Sequence, residues 1–213
     1  MFRPVLIDTD MGVDDAVAIA LALSSSEIQV AGLVSVAGNV SIEQATANIG
    51  RLLGGLVPES LPQVARGLGH RVSQLRDATH VFGEDGLGGI ELAVPPDFAP
   101  GEFLELYERL AEQHGHSLTV LALGPLTNLA AVLQEKPEVL AKVGQIVVMG
   151  GAIWCPGNVT RWAEFNFYRD PAAAAAVLSA GLPLTVVPLD VTRQVAMDES
   201  HTAHLSRGGT RAG

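Results

Sequence analysis

Asp8-Thr9-Asp10-Met11-Gly12-Val13-Asp14-Asp15 is the stretch that decides how this chain is read. The apolar run Val5–Ile7 before it reads as a buried strand, and Asp14–Leu23 as a helix. Four carboxylates therefore fall at the carboxyl end of a strand and the amino end of a helix. Like charges so close repel unless something compensates them. The helix dipole favours Asp14 and Asp15. A bound divalent cation favours all four, and hard cations such as Ca²⁺ and Mg²⁺ take oxygen ligands. Gly12 is expected to supply the backbone freedom for a tight turn that folds the carboxylates toward one point. A single aspartate here would read as a helix cap. Four, flanked by apolar residues at a strand end, read as a metal site. The spacing is not that of an EF-hand loop, which is longer and ends in Glu.

Outward from this point, short apolar runs alternate with helical patterns. Ile28–Val36, Leu118–Leu123, Gln145–Met149 and Leu184–Leu189 read as strands. Ser41–Leu53 reads as a helix opening on a capping box, Ser41 with Gln44. Leu126–Gln134 is a second such helix, and Asp170–Ala180 a third that opens on Asp-Pro and stops at Gly181. Strands apolar throughout and separated by helices predict an α/β fold: an open, mostly parallel, Rossmann-like sheet with helices on both faces. No internal repeat or linker appears, so residues 1–213 are expected to form a single domain. Ligands in such sheets bind at the carboxyl ends of the strands. The Gly-, His- and Asp-rich segment Gly67–Gly89 and the segment Gly151–Tyr168 are therefore where function is expected.

The composition narrows the classes. Apolar residues make up 48% and charged residues 17% of 213, with 13 Lys and Arg against 23 Asp and Glu, a net charge of −10. This is a globular composition, and it excludes a disordered chain. No basic surplus is present for neutralising phosphates, so no nucleic-acid partner is expected. One cysteine, Cys155, excludes an internal disulfide framework and a Cys-rich zinc site, and fits a cytoplasmic location. No apolar run is long enough for a bilayer, so no membrane partner is expected. The oligomeric state stays open, a homo-oligomer among the alternatives.

With these residues in view, the chain resembles the nucleoside hydrolase family of the inosine–uridine-preferring type. The Asp8–Asp15 motif carries the resemblance, together with Val36-Ala-Gly-Asn39, His80-Val-Phe-Gly-Glu-Asp-Gly-Leu-Gly88-Gly89, Leu123-Gly-Pro-Leu-Thr-Asn128, Met149-Gly-Gly151, Gly157-Asn158, Ala163-Glu-Phe-Asn166 and Pro188-Leu-Asp-Val-Thr192. These stretches follow the family's order along essentially the whole chain. The resemblance implies Ca²⁺-dependent hydrolysis of the N-glycosidic bond of a small-molecule ribonucleoside to free base and ribose. It makes Asp10 both metal ligand and general base. Asp15 and the backbone carbonyl of Leu123 become further metal ligands. Asp14, Asn158, Glu164 and Asn166 would hold ribose hydroxyls, Asn39 would lie beside Asp10 and the attacking water, and Met149 would line the sugar pocket.

The chemistry of these side chains suits those roles. Breaking a glycosidic bond builds oxocarbenium character that nearby carboxylates stabilise. Ribose hydroxyls call for acceptors and for bifunctional amides. Alternation in Trp162–Phe167 puts Glu164 and Asn166 on one side, opposite Phe165 and Phe167. Taken alone, Asn39 reads equally as a turn residue and Asn158 as a loop residue. Asp8 reads as a residue that orients its neighbours, Asp190 as structural, His80 as functional or as a loop histidine, and Trp154 and Trp162 as stacking near the base or as local packing.

The family normally continues further, and its distal part supplies a late His-Asp pair, the Asp a Ca²⁺ ligand and the His near the leaving base. No such pair is found here, so the expectation is a domain incomplete at its C-terminus, with a catalytically weak nucleoside- or metal-binding fragment as the alternative. An aspartate-based phosphatase also starts from Asp-x-Asp after a first strand, but needs a later Lys at a strand end. Lys136 and Lys142 fall in a helix and before a strand, which ranks that reading last.

Overall fold

The computed structural model describes residues 2–58, 60–69, 81 and 83–206. Seven strands form one sheet: β1 (Arg3–Thr9), β2 (Ile28–Ser35), β3 (Gln63–Arg66), β4 (Gly101–Glu102), β5 (Thr119–Ala122), β6 (Gln145–Met149) and β7 (Leu184–Val187). Every pairing is parallel and the order is β4-β3-β2-β1-β5-β6-β7. The chain thus winds outward from β1 in one direction, returns to β5 beside β1, and winds outward in the other. The reversal places the topological switch between β1 and β5, where open parallel sheets bind ligands.

Along β1 successive side chains serve opposite faces. Val5 and Ile7 join one core with Leu33, Ile19 and Ile49, which brings in α1 (Val13–Ser24) and α2 (Ile42–Leu56). Leu6 joins the other with Val120, Leu110 and Leu129, which brings in α3 (Phe103–His114) and α4 (Thr127–Glu135). The same core takes Val139 and Leu140 of α5 (Pro137–Lys142) and Val177 of α7 (Pro171–Leu178), which follows the short α6 (Phe165–Arg169). Two short helices, α8 (Leu189–Thr192) and α9 (Glu199–Ser206), close the described chain. None of the described helices is long and apolar enough to cross a membrane.

The expected α/β architecture is present, with helices on both faces. The expected helices over 14–23, 41–53, 126–134 and 170–180 are found within a few residues of their bounds. Asp170 caps α7 by accepting from the Ala173 N–H (3.0 Å), and Gly181 beyond it has φ +69. β3, β4, α3 and α5 carried no separate expectation. β3 and β4 are four and two residues long, too short for a period-2 signal to stand out. The strand expected over 184–189 ends at Val187, because Leu189 already starts α8.

Candidate active site

The loop from β1 to α1 brings the carboxylates to the switch point. Asp8 and Asp10 are buried at the end of β1, and Asp15 is buried in the first turn of α1 (Asp10 1% exposed, Asp15 5%). Asp14 stays exposed. The turn itself is not made by Gly12, which is extended (φ −76, ψ 177). Met11 makes it, in the left-handed region at φ 52 and fully buried. That conformation costs a non-glycine residue energy and is characteristic of functional sites. Gly12 is required for space: a Cβ there would lie 2.6 Å from Asn39 Nδ2 and 2.7 Å from Asp14 Oδ1.

Asn39, at the end of β2, ties the cluster together. Its backbone N–H donates to Asp10 Oδ2 (2.7 Å), and its side-chain amide donates to Asp10 Oδ1 (3.1 Å) and Asp15 Oδ2 (3.4 Å). Asp15 also accepts from the Thr9 hydroxyl (2.9 Å) and the Gly12 N–H (2.8 Å). Burial, then the Asp15 charge, pushes the Asp10 carboxyl well above the usual carboxylate range, and the Asn39 backbone N–H opposes this. Burial followed by the Asp14 charge raises Asp15 to about 6. Gly38 lets the strand end close over Asp10, since a Cβ there would lie 1.9 Å from Asp10 Oδ2.

Asp8 faces the other way. It accepts from the Tyr107 hydroxyl (2.8 Å) and from Asn128 Nδ2 (3.2 and 3.0 Å). Burial raises it to about 7 against these two donor side chains. Asn128 Nδ2 also donates to the Ser35 carbonyl (3.0 Å), and its Oδ1 accepts from the Leu68 N–H (2.8 Å). One amide thus joins β1, β2 and the chain leaving β3.

Glu164 and Asn166 approach from the other side. The alternation expected over 162–167 does not occur, because Phe165 starts α6 and Glu164 caps it. The buried Glu164 carboxylate (2% exposed) accepts from the N–H groups of Asn166 (2.9 Å), Phe167 (3.2 Å) and Gly151 (2.9 Å). Capping consumes most of its acceptor capacity. Burial raises its pKa while these amides pull it down. The Asn166 amide donates to the carbonyls of Leu123 (2.7 Å) and Met149 (3.1 Å) and lies 3.3 Å from the Met149 sulfur. Leu123, Met149, Glu164 and Asn166 are therefore brought together at the ends of β5 and β6. Asn158 is not drawn in. It is exposed on the loop before α6, and its backbone N–H donates to the Ala163 carbonyl (3.2 Å). His80, and Phe82 beside it, lie outside the described residues.

The donor set can be weighed for a cation. Among the described residues no three His, Cys, Asp or Glu side chains sit in metal-holding geometry. What the switch point offers is two buried carboxylates, Asp10 and Asp15, and the Leu123 carbonyl, whose second lone pair is free of the Asn166 bond. None of the ion pairs among the described residues reaches Asp8, Asp10 or Asp15. Buried carboxylates without a countercharge are costly. An all-oxygen set with uncompensated negative charge fits a hard divalent cation. The chain's two lysines, either of which would have to serve a phosphatase, are engaged elsewhere: Lys136 pairs with Glu108, and Lys142 with Glu112 at 3.7 Å.

Several members of this site had no separate sequence signal. Tyr107 reaches Asp8 from a helix ninety-nine residues away. Asn128 stood within the Gly-Pro-Leu-Thr-Asn stretch, but its role as a three-strand tie rests on spatial neighbours. Asn48, buried in α2, donates to the carbonyls of Asp85 (2.7 Å) and Met11 (3.5 Å), which holds the Gly83–Gly89 turn against the carboxylate loop.

The chain is 39% identical over 209 residues to a pyrimidine-specific ribonucleoside hydrolase, RihA, of Salmonella agona (strain SL483), covering 97% of this chain and 66% of that protein. Among solved structures it resembles a purine-preferring ribonucleoside hydrolase from Gardnerella vaginalis (TM-score 0.89, 32% identity, 96% of this chain and 66% of that one). It also resembles a plant nucleoside hydrolase (TM-score 0.90, 36% identity, 98% and 67%). The chain thus spans about two thirds of the length of the relatives it matches. The sequence model of the inosine-uridine preferring nucleoside hydrolases matches residues 5–213. On this match, with the carboxylate cluster at the switch point of the matching fold, the chain belongs to the inosine-uridine preferring nucleoside hydrolase family.

Proposed function

We propose that the protein hydrolyses the N-glycosidic bond of ribonucleosides, giving free base and ribose, with Ca²⁺ held at the switch point. The observation that carries this reading is the buried Asp10–Asp15 pair bridged by Asn39 after β1, with Asn166 held by the Leu123 and Met149 carbonyls at the ends of the neighbouring strands β5 and β6. Asp10, Asp15 and the Leu123 carbonyl would hold the cation, which, when bound, lowers the pKa of water and offsets the cluster's charge.

The chain's own residues do the rest. Asp10 accepts the proton of the attacking water as general base. Asn39 fixes the orientation of both Asp10 oxygens through its two N–H donors. The exposed Asp14 carboxylate accepts from ribose hydroxyls and, with Asp10, stabilises the positive charge that develops on the sugar. Asn166, held by the Leu123 and Met149 carbonyls, would offer its side-chain oxygen to a ribose hydroxyl. Glu164 contributes its remaining acceptor site. Asn158, exposed on the loop before α6, would approach the sugar from the rim. The names of the relatives span pyrimidine-specific and purine-preferring enzymes, so the reading extends to ribonucleosides as a class. A cytoplasmic location belongs to the same reading, supported by the single cysteine.

The test is ribose release from inosine and uridine in the presence of Ca²⁺, compared with Asp10→Asn. Loss of the general base lowers turnover by roughly 10²–10⁴ while circular dichroism stays unchanged. An Asp10→Asn enzyme with near-normal turnover would overturn the role given to Asp10. Phosphate release from phosphate esters, with none of ribose, would overturn the reaction class.

A further inference from the structure

Between β6 and α6 the chain runs from Gly151 to Ala163 without helix or strand. Apolar side chains do not anchor this loop: Trp154 is 92% exposed and Trp162 79%, and Ile153 and Val159 are exposed as well. Its conformation therefore rests on polar fasteners. Within the loop, the Gly157 N–H donates to the Arg161 carbonyl (3.0 Å) and the Asn158 N–H to the Ala163 carbonyl (3.2 Å). Among the described residues, fasteners from outside come from Glu164, which follows the loop, and from one short segment, α8 with Arg193 after it. The Leu189 N–H donates to the Gly151 carbonyl (2.9 Å), and the Arg193 guanidinium to the Gly157 carbonyl (3.4 Å). Between them lies Asp190. Its Oδ2 accepts from the Ile153 N–H (2.9 Å) and its Oδ1 from the Trp154 N–H (2.7 Å).

A carboxylate taking two consecutive amides, one per oxygen, defines the direction of the backbone at that point, which a single hydrogen bond does not. Bonds to an ionised acceptor are also stronger than neutral ones. We propose that Asp190 is a positioning residue for the ribonucleoside site: by gripping the Ile153 and Trp154 amides it holds the Gly151–Ala163 loop, and with it Asn158, at the rim of the site. This rests on the ribonucleoside reading above. Asp190 touches no substrate and acts through the loop.

The chain's two tryptophans, Trp154 and Trp162, both lie in this loop, so intrinsic tryptophan fluorescence reports on it alone. The experiment uses the full chain and Asp190→Asn and Asp190→Ala. It measures time-resolved tryptophan anisotropy, the rate of tryptic cleavage after Arg161, and Kd, KM and kcat for inosine and uridine with Ca²⁺. Asn retains one acceptor oxygen and places an NH₂ donor against an N–H, so its effects fall between those of the wild type and Ala. In Asp190→Ala the tryptophans gain fast rotation, and cleavage after Arg161 speeds up about tenfold, the loop opening locally. Kd and KM rise about tenfold with kcat within about twofold. This is the split expected when a loop must be ordered before it binds ground state and transition state alike.

Unchanged anisotropy and cleavage in both variants, at unchanged melting temperature, would overturn the positioning role. So would a loosened loop with wild-type Kd and KM. A wild-type chain that binds neither inosine nor uridine overturns the ribonucleoside reading, and the role of Asp190 in that site with it, whatever the fluorescence shows.

Discussion

Asn128→Ala tests whether the site is built on a buried polar frame. The Asn128 side chain is fully buried and makes four hydrogen bonds: two to the Asp8 oxygens, one to the Ser35 carbonyl and one from the Leu68 N–H. Truncation leaves three partners, a carboxyl, a carbonyl and an amide, without that donor or acceptor. Each unsatisfied buried group costs about 1–3 kcal/mol. Asp8 keeps Tyr107, and water entering the vacated space recovers part of the rest, so the net loss is about 3–5 kcal/mol, at the upper end for single substitutions. For a chain of this size each kcal/mol lowers Tm by about 2–4 °C, which puts the shift near 10 °C.

The size of that shift depends on pH. Asn128 pulls the Asp8 pKa down against burial, so its removal raises the folded-state pKa further above the unfolded value. The folded protein then binds more protons than the unfolded one over a wider window, and stability falls more steeply as pH rises. The deficit relative to wild type therefore grows between pH 5 and pH 8. Scanning calorimetry at both values measures it, with Tyr107→Phe, which removes one donor from the same carboxyl, as a milder comparison. A Tm within about 2 °C of wild type at both pH values would refute the frame.

Three further outcomes are expected. Without divalent cation, stability falls as pH rises from about 4 to 7, because Asp8 (about 7) and Asp15 (about 6) hold their protons longer when folded than unfolded, each contributing up to about 1.4 kcal/mol per pH unit, and a Tm in chelator that does not fall over that range would contradict this; Ca²⁺ at pH 7.5 raises Tm, and melts with chelator and with Ca²⁺ that coincide there would contradict that. Gly38→Ala puts a methyl group 1.9 Å from an Asp10 oxygen, so the strand end must shift, and calorimetric titration shows Ca²⁺ affinity reduced at least about tenfold; retained affinity would show that Asp10 is not held from this side. A ribonucleoside is hydrolysed faster than its 2′-deoxy form by roughly tenfold or more, since losing the 2′-hydroxyl leaves site groups unpaired at about 1–3 kcal/mol each; equal rates would contradict a site whose polar groups hold that hydroxyl.

The sequence alone determined the parallel α/β class, because strands buried on both faces must be apolar throughout, and that pattern survives in one dimension at Val5–Ile7, Ile28–Val36 and Gln145–Met149. It also determined where the carboxylates gather, since a strand end, a loop and a helix start are neighbours along the chain. The helix caps at Ser41 and Asp170 were equally local and equally legible. What the tertiary structure decided lies where partners are distant. The strand order that puts β5 beside β1 fixes the switch point, and no local pattern encodes it. Tyr107 and Asn128 meet Asp8 only because α3 and α4 pack across that sheet face. The role of Gly12 changed from flexibility to space because Met11, not Gly12, takes the left-handed turn, while Asn39 and Asp14 occupy the space a Cβ at Gly12 would need. Glu164 and Asn166 come together as cap and first turn of a helix rather than as alternate positions of a strand, and the Gly151 N–H, just beyond β6, adds to the bonds of the capping carboxylate. Local chemistry is written in adjacent residues; which carboxylate is buried, and against what, follows from packing between elements far apart in the chain.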